Sequence, residues 1–192
     1  MKNNLWIMML LAALFFSCSK KVYVKNDYHL FEENFTLAPD ALLRTDGVYV
    51  LESIWNKDTG ERKADEHIFY KFYNTGQANL TVDLDSKIKT EEDYLESIKE
   101  HIASTNKAGF KTHLEGYYRL QGNKIVIERI TVPRDVAVYS YGYVENGKLV
   151  IVTETIDGKG KFSDKHFTDN YKATYVFVPL EKSGLSNLKP GW

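Results

Sequence analysis

From Thr45 onward the chain alternates apolar and polar residues in short runs separated by turn signals, the pattern of half-buried strands. Gly47 to Trp55 opens the series, with Tyr49, Leu51, Ser53 and Trp55 alternating against Val48, Val50, Glu52 and Ile54. His67 to Tyr73 and Gln77 to Leu84 flank Asn74-Thr75-Gly76, a hairpin loop in which glycine supplies a positive φ. In the latter run Ala78, Leu80, Val82 and Leu84 alternate with Asn79, Thr81 and Asp83, which predicts one buried and one wet face. The period then lengthens. Thr90 is placed to cap a helix whose first turn, Glu91-Glu92-Asp93, complements the helix dipole, and Tyr94, Leu95, Ile98 and Ile102 share one helical face. Strand patterning returns over Leu114 to Leu120, Lys124 to Val132, Val136 to Glu145, Lys148 to Asp157 and Asn170 to Leu180. Gln121-Gly122-Asn123 and Asn146-Gly147 supply hairpin turns, Pro133-Arg134-Asp135 a break, and Gly158 to Asp164 reads as a mobile loop.

Eight strands in sequential hairpin order, with one α-helix between the third and fourth, predict a mainly β fold. Closing such an antiparallel meander into a barrel removes its exposed edges, and an eight-stranded barrel is either filled by side chains or holds one small ligand. A chain of 192 residues with 43% hydrophobic content supports one such domain, placed at residues 41–181, followed by a loose tail at 182–192 around Pro190-Gly191. With 25 basic and 26 acidic residues the formal charge is −1, which leaves no overall field for a nucleic-acid backbone.

The N-terminal part follows a different pattern. Met1-Lys2-Asn3-Asn4 precedes an unbroken apolar run from Leu5 to Phe16, too short to span ~30 Å of hydrocarbon as a helix but suited to a signal-peptide core. Ser17 then stands before Cys18, the single cysteine of the chain, which has no partner for an intramolecular disulfide. Leu14-Phe15-Phe16-Ser17-Cys18 resembles the lipobox of bacterial lipoproteins, with Phe15 and Phe16 departing from the commonest form. The resemblance implies a signal peptide at 1–17, lipid on Cys18, a tether at 18–40 and, with Ser19 following the cysteine, outer-membrane sorting. The alternatives are an ordinary signal peptide with an incidental cysteine, or an uncleaved anchor.

The strand order, and Gly47-Val48-Tyr49 at the start of the first strand, resemble the lipocalin-like (calycin) barrels of bacterial envelope lipoproteins, whose Gly-x-Trp signature here carries Tyr in place of Trp. The resemblance implies a cup for a small apolar molecule, in a family that also includes filled barrels.

Candidate binding residues come from the aromatic set. Tyr49, Trp55, Tyr70, Phe72, Tyr139, Tyr141, Tyr175 and Phe177 occupy period-two positions that can share one face, apolar with hydroxyl handles. Arg129 lies on the Ile125 and Ile127 face of its strand and, if inward, needs an anionic partner: a ligand carboxylate, Glu52 or Glu154. Other chemistry has weaker footing. Gly142 to Lys148 spells the start of a phosphate loop, but Leu149 replaces its metal-binding hydroxyl and a hairpin replaces the strand-to-helix turn. The acidic residues around Asp83 and Asp93 lack the spacing of a calcium loop. The five histidines lack the short paired spacings of zinc sites, and no Gly-x-Ser-x-Gly elbow nominates a nucleophile. The expectation is therefore a non-enzymatic, lipid-tethered barrel without cofactor or metal, carrying a small amphipathic ligand at the outer membrane. The alternative is a filled barrel whose outer surface binds an envelope protein.

Overall fold

The computed structural model describes residues 24–108, 114–131, 136–180, 185 and 188–192. Among these the elements run β1 (Gly47–Asn56), β2 (Gly60–Lys63), β3 (His67–Phe72), β4 (Gln77–Asp83), α1 (Glu91–Ala108), β5 (Glu115–Gln121), β6 (Lys124–Thr131), β7 (Val136–Glu145), β8 (Lys148–Thr155) and β9 (Tyr171–Pro179). Each strand pairs antiparallel with its neighbour, and β9 returns to pair with β1 from Gly47↔Pro179 to Asn56↔Tyr171. Apart from β2, the strands form a closed eight-stranded antiparallel barrel.

The additional strand corrects the position expected for the helix. Gly60–Lys63 is exposed at every residue and shows no apolar alternation, so its sequence gives no strand signal. It forms because β1 is long: only Tyr49 and Val50 pair with β3, and the far end, Ser53 to Asn56, pairs with β2 instead. The helix therefore lies after the fourth strand rather than between the third and fourth, although it follows Gln77–Asp83 as the pattern predicts.

Local chemistry sets the boundaries. At the start of α1 the Asp93 amide donates to Thr90 Oγ1 at 3.3 Å, and Asp93 Oδ2 accepts from the amides of Lys89 and Thr90 at 2.9 and 2.8 Å, a reciprocal cap. Those amides hold the Asp93 carboxyl below its ordinary range. Asn146 and Gly147 both take positive φ, 51° and 72°, as the two-residue turn between β7 and β8 requires.

Two apolar layers result. One lies inside the barrel and contains Tyr49, Tyr70, Phe72, Tyr118, Ile125, Ile127, Leu149 and Tyr175. The other lies between the outer face of the sheet and the segments covering it, where Tyr94, Leu95, Ile98 and Ile102 of α1 meet Phe69, Tyr73 and Tyr117. The expected tether is part of this architecture from Val24 on: Tyr28 and Leu30 are buried in the outer layer, and Phe35 and Leu37 pack against the inner one. Trp192 is buried against Tyr73 and His101, and its carbonyl accepts from Gln77 Nε2 at 3.0 Å. The leader, Cys18, Val132 and the Pro133-Arg134-Asp135 break lie outside the described residues. Among those described, no helix is long and apolar enough to cross a membrane.

Candidate functional site

The inner face is identified by contacts across the barrel. Arg129 of β6 lies beside Tyr70 of β3, Glu154 of β8 and Tyr175 of β9, strands that do not neighbour β6 in the sheet. Of the candidate residues, Tyr49, Tyr70, Phe72, Tyr175, Phe177 and Arg129 belong to this interior. Tyr139 and Tyr141 do not: they lie in the outer layer, because the inward positions of β7 are Ser140, Gly142 and Val144. Trp55 is separated from the inner set by the register shift between Leu51 and Ser53, after which Ile54 takes the inner position and Trp55 lies beneath the Lys172 ammonium. The eight rings therefore do not share one face. Alternation within a strand gives parity but not which parity is inside, and one bulge inverts it.

The interior rings contact one another. Tyr70 stacks on Phe72 at 5.6 Å, Phe72 meets Tyr118 edge-on at 5.2 Å, Tyr49 meets Phe72 at 5.7 Å and Phe177 at 5.1 Å, and Tyr70 meets Tyr175 at 5.2 Å. Tyr49 and Tyr118 expose none of their surface, and Phe72 and Tyr70 expose 1% and 2%. A hollow large enough for water would appear as exposed surface on its lining, so the barrel is packed solid around these rings. Their hydroxyls are used locally: Tyr49 Oη accepts from the Arg44 amide at 2.9 Å and Tyr118 Oη donates to the Tyr73 carbonyl at 2.8 Å. Burial raises the pKa of Tyr70, Tyr118 and Tyr175 and keeps them neutral.

At one side of this packing sits a small polar cluster. Arg129 Nη2 donates to Glu154 Oε1 at 2.7 Å, and Ser140 Oγ donates to the same oxygen at 2.6 Å. Glu154 is thus the anionic partner of Arg129, while Glu52 pairs with Lys148 at 2.9 Å on the outside. Burial disfavours the guanidinium charge, but its surroundings, the Glu154 carboxylate among them, more than offset it, so the pKa lies above the ordinary arginine value. Among the described residues Arg129 Nε has no hydrogen-bond partner. Pattern reading reached Arg129 but not Ser140, whose inward position shows only once the register with β6 and β8 is known.

The outer layer holds a second set of polar groups that spacing did not suggest. His29 Nδ1 lies 3.0 Å from Glu128 Oε1, and Glu128 also accepts from the Leu30 amide at 2.7 Å and Tyr139 Oη at 3.1 Å. His67 Nδ1 lies 3.0 Å from Asp83 Oδ2 and its Nε2 2.9 Å from Tyr94 Oη on α1. His101 Nε2 of α1 lies 3.1 Å from Glu115 Oε1 and 2.9 Å from Asn79 Nδ2. An imidazole beside a carboxylate is half of an acid–base pair, but two of the pairs here join a covering segment to the barrel wall, and the third, between the neighbouring strands β3 and β4, reaches α1 through Tyr94. The three pairs stay separate, and among the described residues no three His, Cys, Asp or Glu side chains gather where they could hold a metal.

Among the described residues, hollows open on the outside. One of about 460 Å³ lies over β1, β7, β8 and β9, lined by Glu52, Tyr143, Glu145, Lys148, Val150 and Lys172 among others. The second, of about 400 Å³, is formed by Gly158, Lys159, Lys161, Ser163, Lys165 and His166. In comparisons with known proteins the chain matches no family model, no curated protein and no solved structure.

Proposed function

We propose that this chain is a lipid-anchored protein of the bacterial outer membrane, attached through Cys18, whose lipocalin-like barrel is a filled, non-enzymatic scaffold binding an envelope protein through its outer surface. The packed interior carries this reading, because rings with almost no exposed surface leave a ligand no room among Tyr49, Tyr70, Phe72 and Tyr118. The leader pattern supports the anchor. The face left free by α1 and by the segment around Tyr28 to Leu37 is the outside of β1, β7, β8 and β9, and its charged groove is the proposed contact.

The unpartnered Arg129 Nε favours a second reading, in which a small amphipathic ligand reaches the polar cluster of Arg129, Ser140 and Glu154 from the more exposed Glu154 side. Two measurements on the full chain separate the two. A photo-crosslinking residue at Tyr143 or Val150 should yield one discrete protein adduct in intact cells, absent from a Leu84 control and lost on Lys148→Glu together with Lys172→Glu. Native mass spectrometry of the detergent-extracted protein should show no stoichiometric small-molecule adduct. An adduct that disappears in Arg129→Met, without the crosslink, would overturn the partner reading in favour of the ligand.

A further inference from the structure

The loop between β8 and β9 is stitched and shaped. Gly158, Lys159 and Gly160 take consecutive positive φ values of 104°, 48° and 71°, an arrangement that turns the backbone sharply and is unusual for the lysine. The Lys161 amide donates back to the Gly158 carbonyl at 3.0 Å, Ser163 to Lys161 at 2.8 Å and His166 to Ser163 at 3.0 Å. Gly160 packs so closely on Leu30 that a Cβ would fall 2.4 Å from its Cδ2.

The frame presents cations that no carboxylate pairs among the described residues. Lys124, Lys148 and Lys172 are paired with Asp164, Glu52 and Asp169 at 2.7, 2.9 and 3.1 Å. Lys159, Lys161 and Lys165 line the second hollow and have no carboxylate within salt-bridge distance among the described residues, and the loop's own Asp164 is turned to Lys124. Behind them stands His166, 7% exposed and stacked on Tyr141 at 4.5 Å, with no hydrogen-bond partner for its Nε2 among the described residues. That nitrogen abuts Gly158, where a Cβ would come within 2.7 Å of it. A buried, unsatisfied imidazole nitrogen costs stability unless a ligand group uses it.

We infer that the hollow bounded by Gly158 and His166 binds a phosphate group, held by the ammonium groups of Lys159, Lys161 and Lys165, the Ser163 hydroxyl and His166. Three point charges exceed what one carboxylate ligand neutralises and suit a doubly charged tetrahedral oxyanion. The overall charge of −1 argues against a nucleic acid as the source. The site lies apart from the groove over β1, β7, β8 and β9, and the inference stands whether or not that groove binds a protein.

His166 also supplies a readout. Burial and Lys165 push its pKa below the ordinary histidine value, against a smaller opposite pull from Asp157, so it is neutral near pH 7. Lys159, Lys161 and the Tyr141 ring are the other groups around it. A bound phosphate adds negative charge and raises the titration midpoint.

The test uses the full chain in phosphatidylcholine nanodiscs, following the His166 ring resonances by NMR. Inorganic phosphate should shift them saturably and raise their titration midpoint, whereas chloride should not. Lys159→Gln, Lys161→Gln and Lys165→Gln should each weaken binding by about fivefold. His166→Phe keeps the stack on Tyr141 and should weaken binding further, followed in that variant by the Gly158 and Gly160 amide resonances. If the response appears only in nanodiscs of equimolar phosphatidylcholine and phosphatidic acid, whose phosphomonoester carries the second charge, the phosphate belongs to a lipid headgroup; if with the soluble ion, to a free phosphate compound. No saturable response in either arm, or one unchanged by the lysine substitutions, overturns the site.

Discussion

The inside of the barrel and the seam beneath α1 are equally dry but built on different principles. Inside, rings fill space and two of their hydroxyls serve backbone groups at Arg44 and Tyr73, with one ion pair at the side. In the seam, Lys71, Asn79, Glu115 and Glu128 expose 1% or less, and carboxylates and imidazoles join separate segments. Packing is non-directional and fixes volume. Hydrogen bonds fix position, so the seam determines where the helix and the N-terminal segment sit on a wall that would otherwise offer several apolar footholds.

The largest separation between the two should come from removing volume inside. Phe72→Ala leaves a void between Tyr49, Tyr70 and Tyr118 and should cost about 3–5 kcal/mol of global stability, read as a lower urea midpoint with an unchanged slope. A loss well below that range would mean that the interior collapses around the gap.

Next in size is a buried charge in the seam. Lys71 Nζ donates to the carbonyls of Thr45 and Gly47, and burial pushes its pKa down to about 8 despite the nearby Asp46. In the unfolded chain a lysine titrates near ~10.4, so above about pH 8 the unfolded state holds the extra proton and stability rises with pH. Between about pH 8 and about pH 10 this group's own share is at most about 2.5 kcal/mol, read as the difference from Lys71→Met because unfolded tyrosines lose protons near ~10 as well. Lys71→Met should remove that rise. If the variant retains the wild-type slope, the charge is not where the structure places it.

Glu128 tests directionality with a smaller change. Glu128→Ala leaves the Leu30 amide and Tyr139 hydroxyl without their acceptor and should cost about 2 kcal/mol, whereas Glu128→Gln keeps an oxygen and should lose less. Hydrogen exchange should speed up at the Leu30 amide while amides of β3 stay protected. Uniform acceleration would mean that the N-terminal segment is integral to the barrel rather than pinned to it.

The same contrast explains what was legible in the sequence. Strand runs, the Thr90 cap and the Asn146-Gly147 turn rest on local chemistry, and the structure places them within a residue or two of the pattern. Closure into a barrel follows from sequential hairpins that leave no other use for two edges. Strand β2 was invisible because its pairing depends on the overhang of β1 and not on its own residues. Tyr139 and Tyr141 were assigned to the wrong face because inside and outside are properties of the whole ring of strands. The His–carboxylate pairs join residues 16, 14 and 99 positions apart, separations set by topology and by no local spacing. The unpaired lysines of the loop were visible in sequence, but the backbone frame and the unsatisfied His166 nitrogen were not.

The smallest expected effect concerns the hinge between β4 and α1. Asp83 accepts from His67 Nδ1 at 3.0 Å and from the amides of Ile88 and Lys87 at 2.8 and 3.0 Å, and these bonds, the His67 contact first, hold its pKa down to about 2. A carboxyl depressed in the folded state contributes stability above the unfolded value near ~3.9, and that contribution is lost as pH falls through the folded value. The stability of the wild type should therefore decline between about pH 4 and about pH 2 more steeply than that of Asp83→Asn, with the two curves parallel above this window. Exchange at the Ile88 amide should accelerate in the variant, while the Leu30 amide, held by Glu128 elsewhere in the seam, should not respond. Parallel curves throughout, with Ile88 still protected, would show that α1 is held by its apolar face and His101 alone. Coupled acceleration at Ile88 and Leu30 would show the opposite, a seam that opens as one unit despite its three separate pairs.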